Sequence, residues 1–259
     1  MRGSGRKKQS IAESSFDAWT KFYKQNENAP NAIVSYYSKG ALAAFGLDML
    51  LRDETKDRHS LDDLMRELWK KHGKTGIGVP EGGIKDLAEQ ISHSSLDHFF
   101  DHVVNGTEDP DLEAWFTSLG IGFQMRPANG QDDWGDAGEP DNDTTTCPDL
   151  GARVVQKGEF VQLTQVFDHG AAQRCGLSAG DKLIAIDGIQ ITEKSLSHHL
   201  NRFAQLDSVT VHAFRRDELM TFELPIQKAA ADTCQLWFIA EKECTPDQLK
   251  RRKDWLSAS

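Results

Sequence analysis

Two adjacent tyrosines, Tyr36 and Tyr37, lead into the sequence "SKGALAAFGLDML". A phenol stays protonated near neutral pH and can donate a hydrogen bond to a developing negative charge. The apolar residues that follow recur at helical spacing, which also suits a buried helix. The residues alone therefore leave two interpretations open: a catalytic hydroxyl, or two tyrosines that pack at the start of a helix.

Two histidines lie one helical turn apart, His98 and His102. Zinc peptidases can hold their metal with histidines at i and i+4, while the glutamate in H-E-x-x-H activates water. Here Phe99 follows the first histidine, and H-E-x-x-H does not occur in the sequence. A metal site built on this pair with Asp97 or Asp101 is the weaker interpretation, and a solvated helix face is the favoured one.

Length and composition set the class of protein. The chain has 259 residues and a formal net charge of −10. This length suits about two domains, and an acidic chain gains nothing from counterion release, so no nucleic-acid partner is expected. No apolar run reaches the roughly 20 residues of a membrane span. The four cysteines form no C-x-x-C pair, which indicates reduced thiols and a cytoplasmic location.

The first half of the sequence is predicted to be helical. The aromatic residues of Phe16–Tyr23 recur on one face of a predicted helix, and Ser60 is a good N-cap before an acidic first turn. Residues 1–125 therefore form a predicted all-α part. Residues 126–148 combine acids with Gly, Pro and Asn, which indicates a solvated linker or a long loop.

The second half alternates in polarity, as strands do. Residues 149–228 are predicted to form strand, strand, short helix, strand, helix, strand and strand, with Thr192 capping the longer helix. Residues 229–259 are predicted to be a tail that ends in a basic helix.

The sequence "FDHGAAQRCGLSAGDKLIAIDGIQI" within residues 149–228 resembles the PDZ family. The resemblance implies a β-sandwich or barrel with two helices, and a groove in which a peptide or protein C-terminus pairs with an edge strand. The ligand carboxylate would lie against Leu150, Gly151 and Ala152, and His199 would belong to the helix wall of the groove. The alternatives are that these three residues only begin a strand and that His198 and His199 are solvated.

The stretches "GRKKQSIAESSFDAW", "SYYSKGALAAFGLDMLLR" and "SLDDLMRELW", taken in order, resemble the PDZ-containing glycyl aminopeptidases. These are thermolysin-like zinc metallopeptidases of the gluzincin group. The resemblance implies an all-α C-terminal part of a catalytic domain followed by a PDZ domain. In related enzymes a Tyr-x-Lys-Gly-Ala segment supplies an oxyanion-binding tyrosine beside the zinc. Tyr37 matches that tyrosine, whereas Tyr36 is one residue off the pattern.

The family's H-E-x-x-H motif is missing, so the resemblance implies a C-terminal portion of a larger enzyme. That enzyme would remove N-terminal glycine or small residues from peptides, with zinc held by its N-terminal part. No zinc is expected on this chain, which we expect to be inactive alone.

The alternative is a stand-alone PDZ adapter with a helical docking domain; a weaker idea places the interaction site in the acidic linker. A catalytic part should expose an apolar docking surface, and an independent adapter should not.

Overall fold

The computed structural model describes residues 2–140 and 147–257 of the chain. The chain divides into two compact units, each made of three segments. The first unit holds the chain up to Gly5, Lys24–Ala32 and Gln124–Trp237. The second holds Arg6–Tyr23, Ile33–Phe123 and the chain from Phe238 onward.

The α-helices are α1 (Ile11–Phe16), α2 (Ala29–Ala32), α3 (Tyr36–Thr55), α4 (Leu61–Leu68), α5 (Gly83–Ser92), α6 (Leu112–Ser118), α7 (Ala171–Arg174), α8 (Glu193–Arg202) and α9 (Pro246–Leu256). Shorter 3₁₀ turns span Ser4–Lys7, Phe22–Lys24 and Glu241–Glu243, and π-helical turns span Trp69–Gly73 and Phe99–Val104.

The strands are β1 (Ile121–Arg126), β2 (Asp136–Ala137), β3 (Ala152–Lys157), β4 (Phe160–Val166), β5 (Lys182–Ile186), β6 (Ile189–Gln190), β7 (Ser208–Arg215), β8 (Glu218–Pro225) and β9 (Thr233–Phe238). One sheet has the order β3-β4-β5-β7-β8, with β6 on β5, and its neighbouring strands are antiparallel. A smaller sheet has the order β1-β9-β2.

The second unit is built around α3. Met49 and Leu51 of this helix are fully buried. Asp48 makes a buried ion pair with Arg52 one turn later, with Nε and Oδ2 2.9 Å apart. The other oxygen of Asp48 accepts the backbone N–H of Leu61 at 2.8 Å, which fixes the start of α4. The long helix therefore holds its own buried charges and positions the next helix.

The first unit has a continuous apolar core between the larger sheet and its two helices α7 and α8. Thr192 caps α8 through a capping box with Ser195, as predicted. The element order agrees with the PDZ expectation, with the two-residue strand β6 as an addition. The coarse expectation of helices together with antiparallel strands is confirmed.

Two expectations for local structure are wrong. Phe16–Tyr23 is not one helix, because α1 ends at Phe16 and the aromatic side chains that follow find no core; Trp19 is 80% exposed. The prediction that residues 1–125 are all helical is also wrong at the C-terminal end of that range, which forms a strand. Gly120 adopts a left-handed conformation with φ of 65°, which ends the helix, and Ile121–Arg126 pairs as a strand with β9.

Residues 127–140 of the predicted acidic linker make defined contacts. In β2, Asp136 and Ala137 pair in parallel with β9. Residues 141–146 of that predicted linker lie outside the described residues, and the linker boundaries stay a prediction. Within the described ranges, no helix is both long enough and apolar enough to cross a bilayer.

Replacing Gly46 by alanine should destabilise the fold. The added Cβ would lie 2.2 Å from a ring carbon of Trp115, and overpacking of this kind costs about 1–3 kcal/mol. Gly40→Ala in the same helix is the matched control, because the nearest atom to its added Cβ is 3.9 Å away. That control should stabilise the helix by about 0.5–1 kcal/mol. Urea unfolding of the two variants checks this, and equal stabilities would contradict the packing argument.

Candidate functional site

The three tyrosines of the chain meet at the start of α3. The hydroxyl of Tyr23 is hydrogen-bonded to that of Tyr37 at 2.7 Å and lies 3.0 Å from that of Tyr36. The rings of Tyr36 and Tyr37 stack with centroids 4.3 Å apart, and Phe22 packs against both. We call Phe22, Tyr23, Tyr36 and Tyr37 the aromatic cluster. Within this cluster Tyr23 holds the Tyr37 hydroxyl, while the residue Tyr37 is 59% exposed.

Hydrogen bonds within the aromatic cluster shift the pKa values of Tyr36 and Tyr37 in opposite directions. The pKa of Tyr37 is lowered, chiefly because its phenolate accepts a hydrogen bond from Tyr23. The pKa of Tyr36 is raised, first by its hydrogen bond to Tyr23. Two adjacent phenols thus differ in character, and Tyr37 is the better hydrogen-bond donor of the two.

Lys39 anchors the first turn of α3. Its side chain is buried, and Nζ donates to the carbonyl oxygen of Arg6 at 3.2 Å. Burial lowers the pKa of Lys39, and the negative charge of Asp109 opposes that shift. Ser35 caps the same turn by accepting the backbone N–H of Ser38 at 3.2 Å. These contacts hold the first turn of α3, which carries Tyr37.

Two further aromatic side chains near the end of α1 are exposed. Phe16 is 91% exposed and Trp19 is 80% exposed. The Trp19 ring lies 5.2 Å from that of Tyr23, which joins it to the aromatic cluster. A contiguous exposed apolar surface can mark an interaction site, so docking of the second unit through these side chains stays a prediction.

The histidine pair does not gather further metal ligands. The rings of His98 and His102 lie 4.5 Å apart. His102 Nδ1 is 3.3 Å from Glu108, and Asp97 pairs with Lys85. In the part of the chain that the structure describes, no group of three His, Cys, Asp or Glu side chains could hold a metal ion. These residues alone therefore do not fit a zinc site.

The loop that is predicted to bind a carboxylate contains a left-handed glycine. Gly151 has φ of 71°, and a Cβ there would lie 2.6 Å from Cα of Gly170, so only glycine fits. The carbonyls of Leu150 and Gly151 accept hydrogen bonds from Ala172 and Phe167. Their own N–H groups have no hydrogen-bond partner among the described residues. Two free donors beside a left-handed glycine make a nest for an anion.

A groove of about 330 Å³ lies beside this loop, between β3 and α8. Its walls include Leu150 and Ala152 from the loop and strand. The groove is also lined by Gln131, Val154, Glu193, Leu196 and Leu200. His199 is not among the lining residues, and its Nδ1 is buried without a hydrogen-bond partner in the described structure. Its assignment to the groove stays a prediction.

Sequence reasoning missed Tyr23 and Gln131. Tyr23 reaches Tyr37 across 14 positions of the chain, and Gln131 lies in the predicted linker. The aromatic pattern of Phe16–Tyr23 includes Tyr23 but does not indicate its partner, and Gln131 belongs to no motif.

Comparison with known proteins agrees with these features. The family model for M61 glycyl aminopeptidases matches residues 1–43, which include Tyr37. The solved structure of an aminopeptidase N family protein from Idiomarina loihiensis is 37% identical, with a TM-score of 0.87. The match covers 99% of this chain and 42% of that one. The chain is therefore similar to peptidases over nearly its whole length and spans less than half of that relative.

Two further solved structures match about a third of the chain. The HtrA-type protease AlgWS227A with a decapeptide is 16% identical, covering 33% of this chain and 30% of that one, with a TM-score of 0.29. The HtrA3 PDZ domain with a phage-derived ligand is 13% identical, covering 32% and 86%, with a TM-score of 0.28. Neither score is high enough to support an inference. No curated protein matches the chain significantly.

The chain is similar to an aminopeptidase N family protein over nearly its whole length, and its first unit has the element order expected for a PDZ domain. More specifically, the resemblance to the M61 glycyl aminopeptidase family is confirmed.

Tyr23→Phe should raise the pKa of Tyr37, because it removes the hydroxyl that favours the phenolate. The chain has no other tyrosines outside the aromatic cluster, so ultraviolet titration of phenolate absorbance reports on this group alone. The intact chain should show one phenol that ionises below the usual range, and Tyr23→Phe should lose it. An unchanged titration curve for the remaining two tyrosines would contradict the hydrogen-bond assignment.

Proposed function

We propose that the chain is the C-terminal portion of a zinc-dependent aminopeptidase that removes N-terminal glycine or other small residues from peptides. The observation that carries this proposal is the exposed Tyr37 hydroxyl, held by Tyr23 at the start of α3. It lies within the residues that the glycyl aminopeptidase model matches.

The proposed role of Tyr37 follows from its hydrogen bonds. When water attacks a peptide carbonyl, the oxygen becomes negative, and a preorganised donor stabilises it. Tyr37 would give its proton in a hydrogen bond to that oxygen while Tyr23 donates to the Tyr37 oxygen. Because Tyr23 lowers the pKa of Tyr37, the donor is more acidic than an isolated phenol. Lys39 would act by fixing the helix turn from which Tyr37 projects.

Zinc and its ligands would be supplied by another part of the longer enzyme. In the enzyme, the metal would polarise the scissile carbonyl and activate water. The exposed aromatic side chains of Phe16 and Trp19 support a docking surface for that N-terminal part. A stand-alone adapter would have no use for an exposed aromatic surface that includes a held tyrosine hydroxyl.

A second function is supported by the groove beside β3. The free N–H groups of Leu150 and Gly151 suit a carboxylate, and the apolar wall from Leu196 and Leu200 suits a side chain. We therefore propose that the PDZ-like unit binds the C-terminus of a peptide or protein.

Tyr37→Phe in the longer enzyme should lower kcat by about 10²–10³-fold, the cost of removing one oxyanion donor. KM should change little, because the hydrogen bond strengthens only in the transition state. Tyr36→Phe is the matched control, since it removes the neighbouring hydroxyl and keeps the ring stack. Steady-state hydrolysis of a glycyl peptide measures both. A larger loss in Tyr36→Phe would overturn the assignment of Tyr37.

The purified 259-residue chain should hydrolyse no glycyl peptide and should bind no stoichiometric zinc. Elemental analysis and an amino-acid release assay on one sample test this expectation. Bound zinc together with hydrolysis would contradict it and would direct attention to His98 and His102. His98→Ala would then show whether that pair holds the metal.

A further inference from the structure

The open edge of β3 is partly occupied by the protein's own side chains. Among the described strands, β3 pairs only with β4, so its other edge is where a peptide strand would add. The backbone N–H of Val154 on that edge donates to Oε1 of Gln131 at 2.7 Å. The donor that a ligand strand would need at this position is therefore already satisfied.

The next edge donor is satisfied as well. The backbone N–H of Gln156 donates to Oε2 of Glu193 at 2.8 Å. In return, the N–H of Glu193 donates to Oε1 of Gln156 at 2.9 Å. This reciprocal pair ties the first turn of α8 to β3 and closes the far end of the groove.

Gln131 is held in place by a compact loop. Arg126 donates to Asp133 at 2.5 Å, and both side chains are largely buried. The same carboxylate accepts the backbone N–H groups of Asn129 at 2.8 Å and Gly135 at 2.9 Å. The hydrogen bond from Arg126 holds the pKa of Asp133 well below its usual range, so the carboxylate stays charged. Gln131 therefore projects from a fixed loop.

The unoccupied part of the groove is short. The free N–H groups of Leu150 and Gly151 mark one end, and the capped Val154 marks the other. Ala152 and Val154 are two positions apart, and because a strand advances about 3.3 Å per residue, about 7 Å lies between them. The volume of about 330 Å³ is at the small end of ligand pockets. The dimensions fit a carboxylate and two residues.

We propose that this groove takes only the last two residues of a peptide, a free carboxylate with an apolar terminal side chain, and that strand addition ends at Val154. The inference rests on the proposed peptide-binding function. A longer ligand could displace Gln131, but it would exchange one hydrogen bond for another, which adds little net free energy. Affinity therefore depends on the terminal residues and not on length.

The test is calorimetric titration of the intact chain with N-acetylated peptides of two, three, four and six residues that end in Val-Leu with a free carboxylate. The dissociation constants should agree within about threefold, and the dipeptide amide should not bind. In Gln131→Ala the Val154 donor is freed, so the six-residue peptide should bind about tenfold more tightly than the dipeptide. Gln190→Ala is the matched control, because Gln190 is exposed on β6, and it should behave as the native chain.

The outcomes separate the two proposals. If the native chain binds longer peptides about tenfold more tightly than the dipeptide, the length limit is wrong and peptide binding stands. If no peptide binds either the native chain or Gln131→Ala, peptide binding at this groove is wrong and the length limit falls with it. The titrations of the native chain with peptides of different length test the length limit even if Gln131→Ala fails to fold.

Discussion

The hydrogen bond between the hydroxyls of Tyr23 and Tyr37, 2.7 Å apart, is the interaction on which the catalytic proposal depends. It joins two distant parts of the sequence and makes one exposed phenol more acidic than its stacked neighbour Tyr36. That bond can be kept only if the first turn of α3 is fixed, and buried Lys39 fixes it. Within the motif, buried Lys39 thus anchors the helix turn that carries exposed Tyr37.

In the first unit, side-chain hydrogen bonds likewise determine which backbone groups of the groove remain available. A sheet edge that offers unpaired N–H groups invites pairing with any extended chain. Here side chains of the protein satisfy the edge at Val154 and Gln156. The N–H groups of Leu150 and Gly151 keep no partner among the described residues. These side chains protect the edge from unspecific pairing, and under the proposed peptide-binding function the loop would receive the carboxylate of a chain end.

Local patterns in the sequence predicted most of the fold. The cap at Thr192 and the glycine at position 151 have local physical causes, and the structure contains both features. The aromatic spacing of Phe16–Tyr23 led to a wrong prediction of one helix, because periodicity cannot distinguish a buried face from an exposed cluster. The partners Tyr23 and Gln131 were unpredictable for another reason: each acts through a contact between distant positions, which only the folded chain creates.

The most direct test is a structure of the longer enzyme bound to a phosphinic analogue of a glycyl dipeptide, whose oxygen mimics the tetrahedral oxyanion. The Tyr37 hydroxyl should lie about 2.7–3.1 Å from that oxygen, with the Tyr23 hydroxyl behind it. A Tyr37 hydroxyl beyond about 3.5 Å, or Tyr36 in its place, would contradict the assignment.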